Sequence, residues 1–245
     1  MALKMKRIRC LALFGLAAAG LLFKPSLTYA TAGFAEWSIP TPLGNEVNHT
    51  DPFIGTDGTS VRPQGHNESD APFIVKVNSW VFYAGYIAGK AEKGFFLFNE
   101  VTKEVEYFPG EVEQETRMRE KGLIHPLSRP YDFDKGWWEA WAENQNTEFA
   151  TPEELYEKTE RVMDKGEWFQ KLPEEQKVLQ KQIMLQQIQS VAQFLREEFD
   201  FYSHLKQEIG RYPEFQRLEA VQQEQIRGHI EGRLRASTFV VESPD

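Results

Sequence analysis

The sequence predicts an α+β protein: a small antiparallel sheet of three or four strands with a surface helix, followed by a C-terminal all-helical hairpin or three-helix layer. Three observations carry this expectation. Residues 73–108 fall into short apolar or alternating runs rich in Val, Ile, Phe, Tyr and Trp, punctuated by Gly and Asn. The stretch Pro173–Ile209 contains no glycine and no internal proline, and its apolar residues recur at three- and four-residue steps. Gly210-Arg211-Tyr212-Pro213 then breaks the helix before a second periodic segment runs to about Ala236.

In chain order, residues 1–32 read as a secretory signal peptide. Lys4, Lys6, Arg7 and Arg9 precede the apolar run Cys10–Phe23, and Ala30-Thr31-Ala32 supplies the small-residue cleavage pattern. The apolar run falls short of the ~20 residues that span a bilayer, so no transmembrane span is expected in the mature chain. Cleavage leaves 23 cations against 37 acids and removes the single cysteine. Such an acidic chain is not expected to neutralise nucleic-acid phosphates. Without a thiol it has neither a disulfide nor a cysteine metal ligand, which favours a bacterial envelope over a disulfide-rich eukaryotic secretory route. Export to the periplasm or the medium is therefore the expected destination.

Residues 33–70 are rich in Pro, Gly, Asn, Asp and Thr and read as an extended, loop-rich leader. Their polar chemistry gives one candidate metal set: His49 and Asp51, then His66, Glu68 and Asp70. Alternate residues of an extended chain share a face, so the last three could converge on one ion. The solvated polarity of a loop accounts for the same residues.

Residues 71–124 form the expected sheet module. Phe73–Val77 alternates, Trp80–Ile87 reads as one buried central strand, and Phe95–Phe98 with Glu104–Phe108 reads as a hairpin. Glu111–Lys121 is an acidic helix stopped by Gly122. Residues 125–150 read as a tryptophan-rich linker. Trp137, Trp138 and Trp141 lie close enough on a helix to form either a partner-binding anchor or a buried joint. Glu139 and Glu143 stand at i,i+4, a spacing that invites a two-carboxylate hydrolase but is common in an acidic chain.

Residues 151–237 are the helical domain, and 238–245 a tail. Thr151-Pro152-Glu153-Glu154 is a helix start with a capping residue and proline at the first position. In the long helix Met184, Ile188, Val191, Leu195, Tyr202, Leu205 and Ile209 keep the stripe, and Glu198 occupies the one position where an apolar residue is due. The last helix, read from Glu214, carries Phe215, Leu218, Val221, Ile226, Ile230 and Leu234. Arg227, Arg233 and Arg235 form a cationic cluster near its end, a candidate docking patch for an acidic partner or a complement to the helix dipole.

No phosphate loop, dinucleotide fingerprint, nucleophile elbow or zinc-protease signature occurs, and no cofactor is expected. The favoured reading is an exported, non-enzymatic binding or assembly protein acting through protein partners, with homo-oligomerisation left open. The alternative is a secreted carboxylate- or metal-dependent hydrolase. Lys135-Gly136-Trp137-Trp138, the helix opening LPEEQ, the segment LQQIQSVAQF and Tyr212-Pro213-Glu214 resemble the helical part of periplasmic assembly proteins of F-type conjugation systems. That resemblance covers about a third of the chain, omits the aromatic sheet, and implies an accessory role in a conjugation or secretion apparatus.

Overall fold

The computed structural model describes residues 36–50, 58–65, 71–136, 139–140 and 151–237. It is an α+β fold with two antiparallel sheets and a long helix near the C-terminus. The first sheet has the order β1 (Trp37–Pro40), β2 (Asn45–His49), β3 (Thr59–Pro63), β4 (Ile74–Val75). Three of these strands lie in the stretch read as loops, and the register explains the discrepancy. Ile39, Val47, Val61 and Ile74 stand opposite one another and form a buried apolar row. The intervening residues Ser38, Asn48 and Ser60 form a polar row on the other face. There Ser60 Oγ donates to Asn48 Oδ1 at 2.7 Å, and Ser38 Oγ donates to Glu46 Oε2 at 3.0 Å. Polar residues can occupy buried strand positions when the neighbouring strand completes their hydrogen bonds. No apolar alternation long enough to announce these strands is present in the sequence.

The second sheet has the order β8 (Val105–Phe108), β7 (Gly94–Asn99), β6 (Tyr86–Ala91), β5 (Val77–Tyr83), β9 (Tyr131–Asp132). The β7–β8 hairpin matches the sequence expectation. Trp80–Ile87, expected as one strand, is instead folded back on itself. Tyr83 pairs with Tyr86 across Ala84-Gly85, where Gly85 takes a φ of 81°. A second glycine, Gly89, lets three strands meet closely. A Cβ there would lie 2.1 Å from the Ser79 carbonyl oxygen and 2.8 Å from the Phe96 ring. Residues of the expected linker also join this sheet, since β9 pairs with β5 through Trp80 and Tyr131.

Helix α1 (Glu111–Lys121) covers the outer face of the second sheet, where Met118 and Leu123 pack on Ala88 and Leu97. Its buried Gln114 donates through Nε2 to the carbonyls of Gly89 and Phe96, joining helix to sheet. After α2 (Pro152–Lys165) and the single turn α3 (Glu167–Gln170), α4 runs from Glu174 to Glu208, about 52 Å at 1.5 Å per residue. Thr151 caps α2 by accepting from the Glu154 backbone N–H. The expected single last helix is split into α5 (Pro213–Gln216) and α6 (Ala220–Ala236). The second piece starts with a capping box between Glu219 and Gln222. That break leaves Val221, expected on the apolar stripe, exposed.

Helix α4 belongs to two cores. Met184, Ile188, Val191 and Leu195 pack with Leu155, Met163 and Phe169 of α2 and α3. Further along, Tyr202, Leu205 and Ile209 join Ile226 and Ile230 of α6 and the inner faces of both sheets, including Trp37, Trp80 and Tyr131. One continuous core therefore spans the boundary expected between sheet module and helical domain. Residue 198 stands at the hand-over.

Candidate functional site

The stripe on α4 places residue 198 inward, because it continues the three- and four-residue steps between Leu195 and Tyr202. On α6 the inward positions are Ile226, Ile230, Arg233 and Ser237, again at alternating steps of four and three. The segment after β9 is helical at 133–136 and 139–140, and it brings Glu139 against these two helices. Glu139, Glu198 and Arg233 thus meet although each is only 3–5% exposed. Arg233 Nη1 and Glu139 Oε1 form an ion pair of 2.7 Å. Beside them the Tyr131 and Tyr202 hydroxyls lie 3.2 Å apart.

Burial and the Glu139 carboxylate raise the Glu198 carboxyl to about 8, against the opposing pull of Arg129, Arg233 and Lys135. Glu198 therefore carries its proton at neutral pH. Burial also drives the Tyr131 and Tyr202 hydroxyls well above their usual range, so both stay neutral donors. His229, on α6, stacks edge-on against Phe82 at 5.8 Å, and burial followed by the Arg233 charge holds it well below its usual value. The cluster thus contains one stable ion pair, one protonated acid, two neutral phenols and one neutral imidazole.

It gives little room for more. The adjoining cavity, lined by Glu139, Leu195, Glu198, Arg233, Ala236 and Ser237, offers about 10 Å³, the scale of a single water-sized centre. A two-carboxylate hydrolase needs a substrate bond within hydrogen-bond reach of both acids. A wider surface cavity of about 340 Å³ lies at the turn between α2 and α4, with Phe169, Lys177, Val178 and Lys181 on its walls. There Lys181 bridges Glu160 at 3.0 Å and Asp164 at 2.9 Å.

Another buried acid ties the two sheets together. Glu100 Oε1, in the β7–β8 connection, accepts from the Thr41 hydroxyl, from Asn45 Nδ2 at 3.1 Å and from the Leu43 backbone at 3.4 Å. Burial raises its proton affinity, and these hydrogen bonds oppose the rise. Lys103 closes the corner by donating to Asn45 Oδ1 at 2.8 Å.

The residues singled out in the sequence fare differently. His49 is buried between the rings of Trp37 and Phe133 and hydrogen-bonds Thr59 Oγ1 at 3.1 Å, an aromatic core position rather than a loop ligand. Asp51, His66, Glu68 and Asp70 lie outside the described residues, as do Trp137, Trp138 and Trp141. Among the described residues no group of three metal-ligating side chains occurs. The cationic cluster divides. Arg227 and Arg235 are exposed and pair with Glu224 at 3.6 Å and Glu231 at 2.7 Å, whereas Arg233 points into the core. The expected three-arginine patch is corrected accordingly, because Arg233 takes the inward position one heptad after Ile226. That heptad position was a signal present in the sequence. So was Glu198 in the α4 stripe, whereas Glu139 was marked only by its spacing from Glu143, which lies outside the described residues, and not by its pairing with Arg233.

No protein-family model matches the chain, and neither a curated protein nor a solved structure matches it. Among the described residues no helix is long and apolar enough to cross a membrane.

Proposed function

We propose that the chain is an exported, periplasmic, non-enzymatic binding or assembly protein that works through protein–protein contacts. The observation that carries this reading is the contrast between its interior and its α2–α4 hairpin. The groups with the most altered proton affinities are enclosed in the core, beside a space far smaller than an organic substrate. The tip of the hairpin instead presents Val178 and Leu179 at 56% and 53% exposure next to the 340 Å³ cavity floored by Phe169. Apolar side chains rimmed by charge are the usual anchors of a protein contact. The segments at 135–138, 172–176, 185–194 and 212–214 that resemble conjugation-system assembly proteins make an envelope transfer machine the narrower form of the proposal.

Two measurements test it. Intact mass of the protein recovered from the envelope fraction should begin at Gly33; a chain retaining Met1 in the cytosol would refute export. A photo-activated side chain placed at Leu179 in living cells should give a discrete protein adduct, with none from the same group at Val112 on α1. Equal or absent adducts at the two positions would refute the hairpin as the contact surface.

A further inference from the structure

The geometry points to Glu198 as a proton-operated latch: protonated, it closes the joint between the long helix, the last helix and the Glu139 segment, and loss of that proton opens the joint. Its place in the fold is the first reason. Residue 198 sits where α4 passes from the helical core to the core shared with the sheets, so whatever happens there acts on the seam between them. Its chemistry is the second. Among the described residues Glu198 Oε2 has no hydrogen-bond partner, although its atom is fully buried at the small cavity. A protonated carboxyl tolerates such a position far better than a carboxylate, which requires donors or water.

The charges facing it decide the direction. From α4 the neighbour is Tyr202; from α6 it is Arg233, itself next to His229; from the segment 129–139 they are Arg129, Tyr131, Lys135 and Glu139. Arg233 is engaged by Glu139 at 2.7 Å. Arg129 is exposed over the Phe201 ring and Lys135 is half-buried, so solvent screens both. The tyrosines and His229 are neutral at and around pH 7. Ionisation of Glu198 therefore places a second carboxylate near Glu139, where Arg233 is the one buried guanidinium among the described residues and already pairs with Glu139. The relief available is entry of water through the seam. Because the folded-state affinity is raised, the stabilisation is complete below about 4.5 and is lost as pH rises through about 8.

Hydrogen exchange of the full chain, corrected for the intrinsic pH dependence of the amides, tests the latch. Between pH 7 and pH 9.5, protection of 198–205 and 226–236 should fall about tenfold or more, while the β6–β7 hairpin at 86–99 stays protected. Glu198→Gln, the neutral counterpart of the protonated acid, should abolish the fall, and Glu198→Met should do the same. An unchanged fall in either variant would overturn the proposal, as would a wild-type chain with no fall. If neither neutral variant folds at pH 7, the proposal also fails, because the closed state is argued to be the uncharged one.

Discussion

Replacing Arg233 by methionine is the sharpest perturbation of the buried cluster. The side chain is 3% exposed and its ion pair with Glu139 measures 2.7 Å, so its loss leaves a buried carboxylate without its main counter-charge. Breaking a buried pair from one side costs about 3–5 kcal/mol, whereas replacing both partners by neutral groups of similar size is often nearly neutral. Methionine retains most of the packing volume, so the loss is chiefly electrostatic. For a chain of this length about 4 kcal/mol lowers the melting temperature by roughly 8–16 °C. The assay is urea and thermal unfolding at pH 7 of four proteins: wild type, Arg233→Met, Glu139→Gln and the double variant. The double variant should recover at least half of the loss, giving a coupling of about 2 kcal/mol or more. A single-variant cost below about 1 kcal/mol would refute the reasoning. So would a double variant no better than Arg233→Met alone.

Other outcomes follow from separate parts of the fold. Glu198→Gln should remove a pH-dependent penalty: wild-type stability falls as pH rises from 4.5 to about 8, and the variant's curve should be flatter, with a difference of at most about 5 kcal/mol at pH 9. Parallel melting curves for the two proteins across that range would contradict the raised acid. Gly89→Ala should cost about 3 kcal/mol or more, since the added methyl meets the Ser79 carbonyl and the Phe96 ring; equilibrium urea unfolding reads it, and a neutral result would mean the three strands do not meet as described. Thr151→Ala should cost about 1 kcal/mol by deleting the cap on α2, with Thr151→Ser restoring most of it; a cost shared equally by both would point away from the hydroxyl.

The latch and the hairpin contact involve different parts of α4, so they can fail independently. The exposed Val178 and Leu179 lie near its start, about 30 Å along the axis from Glu198. Leu195, the residue of the α2–α4 core nearest the joint, lies one turn before Glu198.

Local periodicity was enough to locate the long helix, the β7–β8 hairpin, α1 with its glycine stop, and the proline-started α2. Each depends on residues a few positions apart, whose common face follows from helix or strand geometry alone. Glu198 was visible as an acid in an apolar stripe, and Arg233 stood one heptad from Ile226. What they face was not visible, because Glu139 comes from a distant segment and only the packing of α4 and α6 against it creates the pair. The same holds for β1–β3. Asn48, Ser60 and Glu46 look like loop residues until neighbouring strands supply their hydrogen bonds, and only then can their backbone be buried. The sequence by itself determined the α+β division and the spine of the helical layer. The tertiary structure decided that sheets and helices share one core, and that a carboxyl at their junction keeps its proton because burial and a neighbouring carboxylate make its charge costly there.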